Sequence, residues 1–268
     1  MTKRKTDWFQ FLKFSKPWFS KVVKGIWILF LCIVLGLPLY IYSVSIDLFG
    51  LFGGMPSLKA IENPENDLSS ELITVDGVSL GRYFTYNRSQ VTYDQLSPDL
   101  INTLLYSEDH RFHDHSGLDF IAYIRVLKGI LTFSLQGGGS TITQQLAKNL
   151  FTKNEDMGLD GKLSNLPGTP GRYVERVIQK TKEWIISVHL ETNFTKEEII
   201  AMYLNTSPFS SNAYGIKVAA ETYFNKEPDS LNVQESAVLV GMLQAITRFN
   251  PALHPEASLG KRNEVLAK

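Results

Sequence analysis

Cysteine is nearly absent from this sequence: Cys32 is the one cysteine among 268 residues. It lies within an apolar run, so no disulfide can stabilise the polar remainder, and an oxidising compartment would leave that remainder unchanged. Net charge is absent too, because 27 basic residues balance 27 acidic ones. The balance is uneven, since residues 1–24 carry seven Lys or Arg against Asp7 alone. A basic head on a mildly acidic body argues against a general nucleic-acid binder.

Two common site motifs are missing as well. The glycine run 137–139 lacks the lysine that a Walker A loop places directly before Ser140, which excludes a nucleotide-binding loop there. No H-E-x-x-H occurs, and the spacing of His110, His113 and His115 does not place three imidazoles on one helical face. We therefore expect neither a P-loop nor a zinc site.

Residues 25–46 contain no charged side chain, and this absence predicts a membrane anchor. A helix of 22 residues covers about 33 Å, enough for a hydrocarbon core of about 30 Å. No small-x-small cleavage site follows, and bulky side chains flank the run, which favours a retained anchor over a cleaved signal peptide. The positive-inside rule then places residues 1–24 in the cytoplasm and exports everything after residue 46.

The next segment, residues 47–95, predicts a stalk and a β-hairpin linker. The stretch 47–70 mixes Gly, Pro, Asn and Ser, and two apolar runs flank the dipeptide Asp76-Gly77. Residues 96–268 then predict one mainly α domain, whose helix starts are marked by capping-box spacings. The starts fall at Thr141, Thr195 and Asn232.

Two stretches of residues 96–268 differ in composition from the rest of the domain. The interruption 152–172 is polar and rich in Gly and Pro, which predicts a mobile loop. Residues 117–135 are strongly apolar. This stretch fits an ordinary core helix and fits equally a helix that dips into the membrane.

Three polar clusters could carry chemistry. On a helix, Glu108, Phe112 and His115 would share one side, which offers Glu108 as a general base; an acidic pair stabilising a helix start is the plainer alternative. In the second cluster, a Gly-rich turn opens a helix crowded with Ser, Thr, Gln, Lys and Asn, which face a polar ligand or form one network. Gln144 shares a helical face with Lys148, and Gln145 shares the next with Asn149.

The third cluster is QKTKE, residues 179–183. Lys180 and Glu183 lie one turn apart, and Lys182 adds a second positive charge. Two cations beside a carboxylate suit a phosphate or pyrophosphate group, although a surface ion pair at this spacing is common.

Together these clusters resemble the peptidoglycan glycosyltransferases, the polymerase module of class A penicillin-binding proteins. That family's E-D-x-x-F-x-x-H-x-G is matched in full from Glu108 to Gly117. Its G-x-S-T-I-T-Q-Q-x-x-K-N is matched from Gly138 to Asn149. The resemblance spans about residues 57–268, and both motifs keep their order and spacing.

The later motifs of that family are matched with departures. R-K-x-x-E keeps its Lys and Glu but has Gln179 for the arginine, so we expect Arg172 or Arg176 to compensate. K-x-x-I-L-E-x-Y-L-N appears as residues 196–205, with Ile200 and Ala201 as replacements that tune packing. The stretch 235–251 resembles a fifth motif, with isoleucine at position 246 where proline is usual.

The resemblance implies a mainly α fold: a lysozyme-like helical head and a smaller membrane-proximal jaw, preceded by one transmembrane helix and a short β-hairpin. It implies a glycosyltransferase that polymerises lipid II into β-1,4-linked glycan, inverts MurNAc C1 and releases undecaprenyl pyrophosphate. The implied location is the bacterial cytoplasmic (inner) membrane, with a cytoplasmic N-terminus and a periplasmic catalytic domain. Implied partners are lipid II, the growing glycan strand, the membrane and cell-wall synthesis proteins.

The resemblance also assigns roles to residues. Glu108 is the general base, Glu183 acts at the donor side, and lysines hold the pyrophosphate, helped by a divalent cation (Mg²⁺ or Mn²⁺) where one is used; no tightly bound cofactor is implied. The implied substrate-binding residues are Asp109, Phe112, His115, Gly117, Ser140, Thr141, Gln144, Gln145, Lys148, Asn149, Lys180, Lys182 and Asn205.

Two other functions compete with this interpretation. A lytic, lysozyme-like enzyme would cut finished glycan with one Glu as acid, but it has no pyrophosphate to hold with a lysine-rich cluster. An inactive, membrane-anchored glycan-binding scaffold is supported by Gln179 alone. No penicillin-binding S-x-x-K domain follows in these 268 residues; we expect the front part of a longer bifunctional chain, with a monofunctional enzyme as the alternative.

Overall fold

A computed structural model describes residues 17–62, 70–76, 79–83, 87–88, 90–132, 138–152 and 171–268. The described part is mainly helical. Its helices are α1 (Pro17–Ser45), α2 (Leu58–Glu62), α3 (Pro98–Glu108), α4 (Phe120–Leu131), α5 (Ile142–Ala147), α6 (Gly171–Asn193), α7 (Lys196–Thr206), α8 (Ile216–Phe224), α9 (Val233–Gln244) and α10 (Pro255–Leu266). Its strands are β1 (Ser70–Ile73), β2 (Ser79–Tyr83), β3 (Asn87–Arg88) and β4 (Ala213–Tyr214).

Strands contribute little to the architecture. β1 pairs antiparallel with β2 on either side of Asp76, at the place where the sequence predicts a hairpin. β3 pairs in parallel with β4 over two residues each, which ties the chain ahead of α3 to the segment between α7 and α8. Most of the predicted loop 152–172, namely residues 153–170, lies outside the described residues, as do residues 1–16.

α1 contains the predicted anchor. Its segment Phe19–Ser45 is long and apolar enough to cross a bilayer, and an apolar window of 18 residues within it is not buried against the rest of the described chain. A core helix of a water-soluble domain would bury that apolar surface. The described chain therefore has one N-terminal apolar helix, and most of its apolar surface is not covered by the core of the domain.

The three helix starts that capping-box spacings predict are confirmed. The Thr141 hydroxyl accepts a hydrogen bond from the amide of Gln144 at the start of α5. Thr195 and Asn232 form complete capping boxes at α7 and α9. Each cap satisfies an amide that would otherwise lack a partner at the helix end and contributes about 1 kcal/mol.

The main core forms around α5. Ile142 and Leu146 of α5 are fully buried, and the helix packs between α6 and α7. α3 and α10 pack against α9 on the other part of the core. Ile61 of α2 also enters this core, so the segment predicted as a stalk folds against the body at residues 47–62.

α4 has the opposite character, because its apolar side chains face outward. Phe120 is 70 % exposed, Ile124 is 67 % exposed and Leu127 is 57 % exposed, with Ile121 and Ile130 also exposed. An ordinary core helix would bury these side chains. The core-helix interpretation of residues 117–135 is therefore wrong for α4.

Two glycines adopt backbone conformations that this packing requires. Gly215 has a φ of +83°, and a Cβ at this position would lie 2.8 Å from the carbonyl oxygen of Asn205. Gly117 has a φ of +86°, and a Cβ there would lie 3.0 Å from the backbone of Ser187 in α6. Both positions thus need glycine for two reasons: the positive φ and the close approach of another segment.

We predict that Gly215→Ala lowers the free energy of unfolding by about 2–3 kcal/mol, because it combines a strained φ with a steric clash. The matched control is Gly260→Ala, since Gly260 lies inside α10 and a Cβ there meets no atom within 4 Å. That control is expected to stabilise the protein by about 0.5–1 kcal/mol. Denaturant unfolding in detergent measures both, and equal midpoints for the two variants would contradict the prediction.

Candidate active site

A cleft of about 680 Å³ opens between the C-terminal end of α3, the segment before α5 and the C-terminal end of α9. Five residues of the predicted site line it: Glu108, Asp109, Ser140, Thr141 and Gln145. The cleft wall that faces them is polar and carries both signs of charge. It therefore suits a large polar ligand better than an apolar one.

Glu108 is the last residue of α3 and is held by two amides from different helices. Gln145 Nε2 donates to Glu108 Oε2 at 3.0 Å, and Gln244 Nε2 donates to Glu108 Oε1 at 2.9 Å. Each carboxylate oxygen keeps at least one lone pair towards the cleft after these bonds. The arrangement fixes the carboxylate in place while leaving it able to accept a proton.

The Gln145 amide also contacts a third group, the Tyr203 hydroxyl, while the acceptor-only Glu108 carboxylate sets the orientation of the amide. Tyr203 Oη donates to Gln145 Oε1 at 3.0 Å, and the amide nitrogen points at Glu108. Burial, and next the negative charge of Glu108, raise the pKa of Tyr203 far above its ordinary value. The hydroxyl therefore stays protonated at neutral pH and can donate to Gln145.

The sequence prediction that Glu108, Phe112 and His115 share one helical face is wrong. α3 ends at Glu108, and Asp109 leaves the helix with φ −157° and ψ 72°. Phe112 then starts a single 3₁₀ turn and is fully buried in the main core. Burial of an aromatic ring outweighs one more turn of helix, so the chain bends at Asp109 and the face of α3 stops there.

Asp109 joins the two motif segments instead of facing a ligand alone. Its carboxylate accepts from His115 Nε2 at 3.1 Å and from the backbone amide of Ile142 at 3.0 Å. His115 Nε2 must carry the proton, because it lies between two carboxylate oxygens. The residues around Asp109 are thereby tied to the start of α5.

Thr141 and Gln144 reinforce the same junction. Both side chains donate to the carbonyl oxygen of Gly117, at 2.7 Å for Thr141 Oγ1 and 3.3 Å for Gln144 Nε2. Gln144 is fully buried and also donates to the Tyr123 hydroxyl at 2.8 Å. The polar side chains of α5 and its cap thus form mainly an internal hydrogen-bond network. Only some of them, such as Gln145, line the cleft.

Lys196 is a member of this network that sequence reasoning did not assign to the site. Its Nζ donates to the carbonyl oxygen of His115 at 2.7 Å and to Glu191 at 2.9 Å. The same Nζ lies 4.2 Å from the centre of the Phe112 ring. The signal that could have found it was its place at the start of the segment 196–205, which the family resemblance covers.

The third predicted cluster, around Lys180 and Glu183, lies beside Ser140, just before α5. Lys180 Nζ contacts Glu183 Oε2 at 2.5 Å and donates to the Ser140 hydroxyl at 3.0 Å. Glu183 is buried, whereas the Lys180 side chain is 44 % exposed. Ser140 also lines the cleft, so the ammonium group of Lys180 lies at its edge.

Several predicted site residues lie elsewhere. Lys182 is buried and donates to the carbonyl oxygen of Gly54 at 3.1 Å. The Asn205 side chain accepts from the Val91 amide at 3.0 Å and donates to the Val91 carbonyl at 2.8 Å, so it joins α7 to the chain ahead of α3. Lys148 is exposed and Asn149 is half-buried, both in the π-helical turn after α5.

The position that departs from the family pattern has its own local partner. Gln179 Nε2 donates to Glu175 Oε1 at 3.2 Å, one turn earlier in α6. Arg176, one of the two arginines expected to compensate, is exposed on that helix. The side chain of Arg172 lies outside the described part, so compensation by either arginine stays a prediction.

Gln244 and Arg125 are among the cleft residues that sequence reasoning missed. Gln244 ends α9, more than a hundred positions from the Glu108 that it contacts. Arg125 projects from α4 into the cleft wall. The signal for Gln244 was a polar residue at the end of an apolar helix, and for Arg125 a charge inside an apolar run.

Comparisons with known proteins bear on the same residues. Residues 76–268 match the family model described as transglycosylase. Penicillin-binding protein 1F of Bacillus subtilis (strain 168) is 34 % identical over 199 residues, which cover 74 % of this chain and 25 % of that protein. Penicillin-binding protein 1A of Aquifex aeolicus (strain VF5) is 32 % identical over 237 residues, which cover 88 % of this chain and 30 % of that protein.

A third relative, penicillin-binding protein 1A of Escherichia coli (strain K12), is 29 % identical over 215 residues, which cover 80 % of this chain and 23 % of that protein. The chain thus spans less than a third of the length of these curated relatives. The matched range 76–268 includes Glu108, the α5 network and the Lys180–Glu183 pair. On this match, the chain belongs to the transglycosylase family.

Proposed function

We propose that this chain is a peptidoglycan glycosyltransferase that polymerises lipid II into β-1,4-linked glycan. The observation that carries the proposal is that one short segment, residues 140–145, contacts both Glu108 and the Lys180–Glu183 pair. Gln145 of α5 holds Glu108, and Ser140, just before α5, contacts the Lys180–Glu183 pair. A base and a cation at fixed positions in one cleft are what an inverting displacement of a pyrophosphate requires.

Glu108 acts as the general base in the proposed mechanism. It accepts the proton of the 4-hydroxyl of the acceptor GlcNAc as that oxygen attacks C1 of the terminal MurNAc of the growing chain. The new C1–O bond forms as the bond from C1 to the undecaprenyl pyrophosphate breaks, and the leaving group departs with the electron pair. Attack from the face opposite the leaving group inverts C1 from α to β.

Lys180 acts on the leaving group. Its exposed ammonium lies at the cleft edge, where it can neutralise the charge that develops on the pyrophosphate. Glu183 holds Lys180 in that position from a buried site. We propose Ser140, Gln145 and Asp109 as cleft-lining contacts for the sugars and phosphates.

A divalent cation at the pyrophosphate stays a prediction. Among the described residues, no three of the His, Cys, Asp and Glu side chains form a group that could hold a metal ion. Mg²⁺ can bind through one or two carboxylates plus substrate phosphates, but the Glu183 carboxylate already contacts Lys180. The described residues therefore do not fit a protein-built cation site, and the mechanism uses Lys180 for charge neutralisation.

The proposed organisation follows the sequence prediction. Residues 1–24 form a cytoplasmic tail, and residues 25–46 cross the bacterial inner membrane. Residues 47–95 link this span to the periplasmic catalytic domain, residues 96–268, which has a lysozyme-like head and a smaller jaw. The apolar and unburied α1 supports the membrane assignment. Cell-wall synthesis proteins are proposed as partners.

We also propose that the outward apolar face of α4 dips into the outer leaflet of the membrane. Phe120, Ile124 and Leu127 lie four and three residues apart, so they form one stripe on the helix. Arg125 of the same helix reaches the cleft. Contact of the stripe with lipid would bring the cleft to the depth at which a lipid-linked substrate presents its pyrophosphate.

Glu108→Gln is expected to lower the rate of polymerisation of labelled lipid II by about 10²–10⁴-fold, because the general base is lost while the size of the side chain is kept. Only one of the two amide donors, Gln145 and Gln244, still finds an oxygen there. The control is Glu256→Gln, which alters an exposed carboxylate in the first turn of α10. Product mass on a gel measures both. Absence of polymer from the wild type, with lipid II bound, would favour the scaffold function, and fragments released from finished glycan would favour the lytic one.

Gln244→Leu is expected to lower the polymerisation rate by about tenfold, because Glu108 loses one of its two amide donors, worth about 1.5 kcal/mol. Gln234→Leu is the matched control, since it makes the same change at an exposed position of the same helix α9. Initial rates with labelled lipid II compare the two. Equal rates would show that Gln145 alone suffices to hold Glu108.

A label at position 124 tests the membrane contact of α4. In a Cys32→Ser background, a fluorophore on Ile124→Cys is expected to be quenched by brominated lipid tails in vesicles. The control is Leu253→Cys, which labels an exposed apolar position outside α4. Equal quenching at the two positions would show that α4 has no specific contact with the bilayer.

A further inference from the structure

α6 carries two sets of residues on opposite sides. With 100° between successive residues, Lys180 and Glu183 fall on one side of the helix, and Ile178, Thr181 and Lys182 fall on the other. The first side faces Ser140 and the cleft. The second side contacts the C-terminal end of α1 and the segment that follows it.

The contact between α1 and α6 is a small core of its own. Val44 of α1 is fully buried, and it clusters with Phe52 and Ile178. The Tyr40 ring packs edge-on against Phe52 at 6.1 Å. The hydroxyls of Tyr40 and Thr181 lie 3.2 Å apart, within hydrogen-bond distance. Apolar packing and one polar contact thus fix the end of the apolar helix to α6.

The turn after α1 is itself held rigidly. Asp47 adopts a left-handed conformation, with φ 47°, and its carboxylate accepts from the Phe52 amide at 2.9 Å. This bond closes the turn and directs the following residues back along α6. Gly54 then offers its carbonyl oxygen to Lys182.

Lys182 is buried, with 1 % of its surface exposed, and its ammonium donates to Gly54 at 3.1 Å. A charge in such a place costs free energy unless it is hydrogen-bonded, so its contacts hold the two segments together strongly. It does not line the cleft that Glu108 lines. Lys180 is not a lining residue either, but it is half-exposed and its ammonium donates to Ser140, which lines the cleft.

We propose that Lys182 is a positioning residue that clamps the exit of the membrane helix to the back of the donor-side helix. The clamp consists of Tyr40, Gly54, Thr181 and Lys182. It sets the height of Lys180 and Glu183 relative to the bilayer through α1. This inference rests on the proposed function for the role of Lys180, but the clamp itself is a matter of geometry.

Distance measurements test the clamp without reference to activity. In a Cys32→Ser background, spin labels at Tyr42→Cys on α1 and Thr192→Cys near the end of α6 report the angle between the two helices; both positions are exposed. The full chain in lipid nanodiscs is expected to give one narrow distance distribution. Lys182→Met is expected to broaden it, and Lys180→Met is expected to leave it unchanged.

Binding and turnover of lipid II separate positioning from ligand contact. Lys182→Met is expected to keep lipid II affinity within about twofold and to lower the turnover rate about tenfold, since small misplacements of reacting groups cost this much or more. Lys180→Met is expected to weaken lipid II binding. Thr181→Val removes one hydroxyl from the clamp without changing any charge, and it is expected to act in the same direction as Lys182→Met.

The distance and binding measurements together decide whether Lys182 is a positioning residue or a ligand of lipid II. A narrow distance in Lys182→Met together with a loss of lipid II affinity like that of Lys180→Met would overturn the proposal and make Lys182 a ligand. Broadening in Lys182→Met and Thr181→Val supports it, even if the wild type forms no polymer, because the distances do not depend on the reaction. If Lys182→Met does not fold, a distribution in Thr181→Val as narrow as that of the wild type overturns the proposal.

Discussion

The hydrogen bonds of the Asp109 carboxylate are the constraint on which the rest of the cleft depends. They join the residues after α3 to the start of α5 through His115 and the Ile142 amide. The carbonyl oxygen of Gly117 extends the junction by accepting from Thr141 and Gln144. Because these groups are buried, breaking one bond would leave its partner unsatisfied at a cost of about 1–3 kcal/mol. The junction therefore behaves as one unit.

This unit determines where the reactive groups lie. α5 is only six residues long. Ser140, just before it, contacts Lys180, and Gln145, within it, donates to Glu108. A shift of α5 would move both contacts at once. Glycine at 117 is part of the same constraint, because α6 passes too close for a side chain there. The proposed base, Glu108, and the proposed cation, Lys180, are thus both positioned by contacts with α5 and the residue just before it.

Local patterns in the sequence predicted much of the helical framework. The caps at Thr141, Thr195 and Asn232 are short-range signals, and all three mark helix starts in the structure. The face of Glu108, Phe112 and His115 was predicted wrongly, because periodicity cannot show that burial of Phe112 ends the helix at Asp109. Gln244 and Lys182 show the same limit. Their partners, Glu108 and Gly54, lie far away in the sequence, and only tertiary packing pairs them.

The hydrogen bonds from Tyr203 to Gln145 and from Gln145 to Glu108 have a consequence for proton movement in the cleft. Because the ionised Glu108 carboxylate can only accept hydrogen bonds, the nitrogen of the Gln145 amide faces Glu108, and its oxygen accepts from Tyr203. The chain of hydrogen bonds therefore has a fixed direction, from the core outward to the carboxylate. With the amide in this orientation, a proton gained by Glu108 meets an N–H group of Gln145, which cannot accept it. In the proposed mechanism, the proton that Glu108 gains in each turnover would then leave through the open side of the cleft.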